Sequence, residues 1–222
     1  MNGAELTSTL NALGLRAPRP IDAIEHELDD QARTLLDRLR ALTPRHPLTH
    51  SQAVRLAERQ AGVLRRELGF SRAAKLATDA LEDLPFATVT YRPGFPTSGM
   101  ATHTGLGWVI VIRGDEAQVR QRFSLAHELK HVVDDCFMHQ KTGPLADGLY
   151  PEQQGYPAHE RIERVCDAFA AALLMPKVML RRDWTNGIQS IAELARRYGV
   201  SRPAMEIRLR SLGLLAPTPR CA

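Results

Sequence analysis

The chain has 222 residues, 44% of them apolar and 24% charged, with a formal net charge of +4. That size and balance suit one main domain with a sizeable core plus a small appended module. No window approaches the roughly 18 apolar residues of a membrane span, and the opening MNGAELTSTL lacks a basic region followed by an apolar run, so a cytoplasmic protein without membrane contact is expected.

Three cysteines, Cys136, Cys166 and Cys221, are too few and too scattered for a disulfide framework, and none forms a C-x-x-C pair. The charge is uneven. Residues 177–222 hold nine Lys or Arg against three acids, a weak hint of nucleic acid or an acidic partner, against which stands an ordinary solvated surface.

Residues 1–46 are expected to form a helical extension. In PIDAIEHELDDQARTLLDRLRAL, Ile21, Ile24, Leu28, Leu35, Leu39 and Leu42 fall along one stripe, bracketed by Pro18, Pro20, Pro44 and Pro47. The stripe must pack on the main domain or on a partner. A second helix starts at THSQ, where Thr49 and Gln52 stand as a capping box and Ala53, Val54, Ala57, Ala61, Leu64 and Leu68 form the apolar face, up to Gly69. A third, short helix is expected over 71–84.

The texture then becomes β-rich at FATVTY (86–91) and GWVIVI (107–112), with turn residues between, which predicts a small sheet of mostly antiparallel pairing. Asp115 and Gln118 are placed to cap a long helix through EAQVRQRFSLAHELKHVVDD. After a loop rich in Gly, Pro and Tyr comes a further helix, HERIERVCDAFAAALLM, stopped by Pro176. SIAELARRYGVSRPAMEIRLRSLGLL then reads as helix, turn, helix. Ser190 and Glu193 cap the first helix, Gly199 turns, Ser201 caps the second and Gly213 ends it; Leu194, Ala195, Val200, Met205, Leu209 and Leu212 make the apolar side.

His127, Glu128 and His131 stand in the order H-E-x-x-H. One turn apart on one helical face, the two imidazoles can converge on an ion flanked by the glutamate. A catalytic zinc site usually takes three protein ligands, so a third is needed. Asp135 lies about 12 Å along the axis from His127, too far to share its ion, and Cys136 fails for the same reason. His139 is not at the third-histidine spacing of the longer zinc motif. On the next long helix, Glu163 can ligate while Asp167, four residues on, accepts a hydrogen bond from the far nitrogen of a ligating histidine; Glu160 is the rival ligand. Cys166 reads as a small buried residue rather than a ligand.

RQRFSLAHELKH (120–131) with ExxCDAFAAALLMP (163–176) resembles the ImmA/IrrE family of bacterial and phage zinc metallopeptidases, whose usual signature is close to RFTLAHELGH and then ExxANxFAAxLLMP. The resemblance covers roughly residues 50–180 and implies an α+β, zincin-like metallopeptidase fold, helices around a small sheet, with one Zn2+ per chain on His127, His131 and Glu163. It implies Glu128 as general base. Two departures stand out: Lys130 where Gly is usual, and Cys166-Asp167 where Ala-Asn is usual. Asp keeps an acceptor, while a cation beside the metal demands that the Lys130 stem carry its ammonium outward to solvent. Relatives often carry a segment like LAxxFGVSxxAxxxRLxxLGL after LLMP, so the last helix pair belongs to the architecture.

The expected organisation is therefore an extension over 1–46, a metallopeptidase domain over 47–180, a helix-turn-helix-like module over 181–214 and a flexible tail over 215–222. Tyr150, Tyr156, His103 and His159 are candidates to hold the oxyanion or substrate, unranked. The free edge of GWVIVI is the expected platform for an extended peptide, with selectivity left to the first 46 residues and the last module. By resemblance, the substrate is a repressor or antitoxin-like regulator whose cleavage releases transcription in stress response or mobile-element control. The rival is a non-catalytic regulator with a structural zinc, binding a partner or DNA through Arg202, Arg208 and Arg210.

Overall fold

In the computed structural model, which describes residues 35–71, 75–140, 142–153 and 155–216, the first long helix is α1, His50–Glu67. Thr49 caps it: its side chain takes the Gln52 N–H while the Gln52 side chain takes the Thr49 N–H, the capping box expected from the sequence. Of the amino-terminal stripe, Ile21, Ile24 and Leu28 lie outside the described residues. Of its described members Leu39 is buried and Leu35 and Leu42 are half-buried against the core, and the adjoining Arg40 donates to the carbonyls of Val132 and Val133, so this part of the stripe packs on the main body.

Among the described residues of the segment expected as a helix over 71–84, which leave out 72–74, the α-helix is the four-residue α2, Asp79–Glu82. The reason lies fifty residues on. Arg122 donates to the Leu76 carbonyl at 2.9 Å and to the Thr78 hydroxyl at 2.8 Å, so those groups serve a buried guanidinium instead of a helix.

Three strands follow: β1 (Ala87–Arg92), β2 (Gly99–Thr104) and β3 (Gly107–Arg113). The sheet order is β1-β3-β2. The two expected strands, β1 and β3, pair in parallel, and β2, a strand in the stretch read as turn residues, supplies the antiparallel pairing with β3, so the sheet is mixed. This happens because the chain leaves β1, crosses to the far edge and returns through the gap as β3. Ile110, Val111 and Ile112 are buried at its centre. Both edges of GWVIVI are therefore occupied, and the strand that presents a free edge on the β3–β2 side is β2, which corrects the expected platform.

The long helix α3, Gln118–Met138, carries HELKH. Asp115 does not cap it. Its carboxylate is taken by Arg113 at 2.9 and 3.2 Å and by the Gly94 N–H at 3.1 Å, bonds that pull its pKa down to about 2. The N-cap is Ala117, without a side-chain bond.

The second motif helix is α4, Ala158–Leu174. It packs along α1 and α3. Ala53, Ala57 and Ala61 from α1 and Ala170 and Ala172 from α4 are buried, and side chains this small permit close helix approach. Pro176 stops α4 and also opens α5, Lys177–Thr185, a helix the sequence reading did not separate.

The carboxy-terminal pair is α6, Ile191–Tyr198, and α7, Arg202–Ser211, with Ser190 and Ser201 accepting the expected cap bonds and Gly199 left-handed at φ 64°. Asp183 at the end of α5 is buried and accepts from the Tyr198 hydroxyl at 2.9 Å and from Arg197 Nε at 2.8 Å, which fixes α6 to α5. Arg208, proposed for DNA, is also buried: it donates to the Met175 carbonyl at 3.2 Å and pairs with Glu58 at 3.1 Å. It holds α7 to the rest of the fold, its guanidinium engaged there. Among the described residues no helix is long and apolar enough to cross a membrane.

Candidate metal centre

The helical period sets His127 and His131 one turn apart on α3, and α4 crosses so that Glu163 faces both. His127 Nε2 lies 3.2 Å from His131 Nε2 and 3.2 Å from Glu163 Oε2; His131 Nε2 lies 3.5 Å from Glu163 Oε1. A tetrahedral zinc with bonds of ~2.0–2.1 Å separates its N and O ligands by about 3.3–3.4 Å. Each pair thus stands close to the spacing of two ligands on one ion, with Glu163 meeting the two histidines through different oxygens. On the far side of the ring, His127 Nδ1 bonds Asp167 Oδ1 at 2.9 Å, which directs Nε2 toward the other two donors.

Charge agrees with geometry. Burial pulls the His127 pKa down, but hydrogen bonds to Asp167 and Glu163 outweigh it and raise the value to about 9. His131 is pushed down by burial and by its neighbour His127. Glu163 is pulled below the usual carboxylate range, chiefly by its bond to His127. In the metal-free chain one imidazolium therefore sits between two carboxylates, and a cation arriving there displaces that proton. The metal-free fold holds this contribution fully below the ordinary value of 6.5 and loses it as pH rises through about 9. Zinc affinity changes in the opposite sense: it is expected to rise about tenfold per pH unit between about pH 6 and pH 8. Competition titration with a chromophoric chelator reads this, and a flat profile would exclude the proton exchange.

A second sulfur-containing set is possible. The ligand atoms of His127, His131 and Cys166 lie within 4.8 Å of one another. Cys166 is 1% exposed, and in the metal-free chain burial together with the field of Asp134 holds its thiol well above the ordinary value. Glu163, whose carboxylate oxygens lie 3.2 Å and 3.5 Å from the two histidines and whose pKa is lowered, is the other candidate third donor.

Glu128 lies beside this face and outside it, 9% exposed, and an N–H of Ala101 on β2 bonds its carboxylate. Burial raises its pKa. Gly99 makes the arrangement possible: a Cβ there would stand 2.9 Å from both Cγ and Oε1 of Glu128, closer than side chains pack. Nothing in the sequence marks this glycine, which falls among the turn residues of RPGFPTSG (92–99).

A cavity of about 870 Å³ opens over these groups, floored by His127, Glu128, His131 and Glu163 and walled by Gly99, Met100 and Ala101 of β2. His159 lines it. Three other expected contacts do not. Tyr150 is 1% exposed and its hydroxyl donates to Asp134 at 2.6 Å, Tyr156 stacks on the Arg164 guanidinium at 4.0 Å, and His103 meets Trp108 edge-on at 5.2 Å. Glu160 pairs with Arg164 at 3.7 Å and not with the histidines.

Lys130 also departs from expectation. Its ammonium turns into the core, fully buried, and donates to Asp134 at 2.5 Å, Gln60 at 2.8 Å and Tyr150 at 3.2 Å. Three acceptors match its three protons, and the ion pair with Asp134 balances its charge. It therefore presents no uncompensated cation to the metal site.

A family model of M78 peptidases, described as the IrrE N-terminal-like domain, matches residues 88–210, more than half of the chain. The radiation response metalloprotease IrrE of Deinococcus deserti is 39% identical over 100 residues, 42% of this chain and 32% of that protein. Its counterpart in Deinococcus radiodurans is 34% identical over 146 residues, 54% of this chain and 42% of that protein. The chain thus spans less than half the length of either relative in the matched region. A solved Mycobacterium tuberculosis transcriptional regulator superposes on 87% of this chain and 53% of its own, with a TM-score of 0.47 and 16% identity. On the family match, which takes in both motif helices and the carboxy-terminal pair, the chain belongs to the ImmA/IrrE family of metallopeptidases.

Proposed function

We propose that the chain is a zinc-dependent endopeptidase of narrow specificity, acting in the bacterial cytoplasm on a DNA-binding repressor or antitoxin-like regulator and so controlling transcription in a stress response or in mobile-element regulation. The observation that carries the reading is the donor face of His127, His131 and Glu163 with a buried carboxylate, Glu128, beside it and outside it. A purely structural metal has no use for such a neighbour.

His127, His131 and Glu163 would hold the metal, which when bound supplies a Lewis acid for the scissile carbonyl and a water of near-neutral pKa. Glu128 takes a proton from the attacking water and returns it to the leaving amine; its raised pKa suits both halves of that transfer. Asp167 keeps the His127 ring in one tautomer and orientation. The edge of β2 offers backbone groups along which an extended peptide can lie, and His159 at the rim is the candidate to steady the oxyanion. We also propose the division at about residue 180 into peptidase domain and helix-turn-helix-like module, the two being held together by Arg208.

The test is cleavage of candidate regulator proteins, read by mass spectrometry, with the chain carrying one equivalent of zinc. Chelation should abolish the cut and added zinc should restore it. Cleavage indifferent to the chelator would remove the reading. The rival, a non-catalytic regulator with a closed structural zinc, draws on the nearness of Cys166. The two predict opposite variants. In our reading Cys166→Ala keeps about one zinc per chain and Glu163→Ala weakens binding at least about tenfold; the reverse, measured by metal analysis after dialysis, would favour the rival.

A further inference from the structure

Beside the catalytic cavity lies a second hollow, an apolar groove of about 750 Å³ between the amino-terminal half of α1, α4 and α7. Val54, Ala168, Ala171, Pro203, Ala204 and Ile207 form its apolar lining, and Ile207 is 70% exposed. A large aliphatic side chain left open beside such a lining is a surface awaiting contact.

Two observations say what fits. The first is continuity. Arg120, Phe123 and Asp167 line both the groove and the catalytic cavity, so the two adjoin and share a wall. Arg120 also donates to Ser98 at 3.2 Å, at the start of β2, so a peptide laid on the β2 edge leaves the cleft at the mouth of the groove. The second is charge. Arg120, Arg164, Lys177 and Arg208 line the groove against two acids, Glu58 and Asp167; Arg208 pairs with Glu58, and Arg120 and Arg164 pair with Glu116 and Glu160 outside the lining. The surplus is positive around an apolar floor.

We infer that this groove is a substrate-recognition site that takes an apolar segment with acidic flanks, on one side of the scissile bond. The assignment rests on the peptidase reading and deepens it: selectivity resides in the seam between α4 and α7, so the carboxy-terminal helix pair shapes the choice of protein substrate. The seam also explains how a metal site with little sequence preference of its own acts narrowly.

The experiment uses the full zinc-loaded Glu128→Gln chain, so that probes are bound and not cut. Three short fluorescent peptides are compared by anisotropy: one with Leu and Phe flanked by Asp and Glu, one with the acids changed to Lys, and one with the apolar residues changed to Ser. The first should bind at least about tenfold tighter than either other, and that advantage should vanish when Ile207→Glu or Lys177→Glu is added. Equal affinities, or variants without effect, overturn the assignment. So does sedimentation showing a dimer that Ile207→Glu dissolves, because a second copy would then be the occupant. In parallel, the wild-type chain is tested for cleavage. Cleavage without discrimination among the probes sinks the groove and leaves the peptidase reading standing; discrimination without cleavage of any probe or regulator does the opposite.

Discussion

Lys130→Ala should lower the midpoint of thermal unfolding by about 6–20 °C. Removing one partner of a buried ion pair leaves the other charge without compensation, at a cost of ~3–5 kcal/mol. A domain of this size loses ~2–4 °C per kcal/mol. The residue left behind is Asp134, 3% exposed, with only the Tyr150 hydroxyl still bonded to it, while Gln60 loses the donor for its side-chain oxygen. Because these groups belong to α1, α3 and the loop between α3 and α4, the damage should spread to the helix that carries both histidines. Scanning calorimetry measures it. A companion variant, Lys130→Met with Asp134→Leu, removes both charges and should recover most of the loss, since replacing a whole buried pair with apolar side chains is close to neutral. A single variant melting within about 2 °C of wild type would show that the network does not hold the helix.

Glu128→Gln should cut the hydrolysis rate by a factor of about 10²–10⁴, the usual worth of a positioned general base, while zinc content and melting temperature stay at wild-type values. The amide fills the same space against Gly99 but cannot accept a proton. Metal retention follows from geometry, because Glu128 is not one of the three donors that face one another at 3.2 to 3.5 Å. In the metal-free chain burial raises the Glu128 pKa. Turnover within threefold of wild type, with zinc bound, would take the base role away from Glu128.

Much of the site was readable along the chain because its groups lie four residues apart on two helices. His127 with His131, and Glu163 with Asp167, each need only the helical period to share a face. The caps at Thr49, Ser190 and Ser201 were equally local, and all three are present. What escaped depended on partners distant in sequence. The fate of Lys130 was decided by Gln60, seventy positions away, and by Tyr150, which was thereby withdrawn from the cavity. The helix expected over 71–84 was shortened where Arg122 claimed its polar groups, and Asp115 was lost as a cap to Arg113. Strand order lay beyond reach for a similar reason. Alternation of residue types says which side of a strand is buried, but not which strand fills the middle, so β2 rather than β3 supplies the free edge beside the metal face.

The buried bond from Arg208 has a practical bearing on fragment design. A shortened chain ending near residue 180 would keep every group that faces the metal. It would also strip the Met175 carbonyl and Glu58 of their shared cation and uncover the seam where α4 turns into α5. Insolubility of such a fragment would then say nothing about its chemistry. A boundary placed after Leu214, beyond the Leu214 N–H bond to Leu209, keeps that clasp closed.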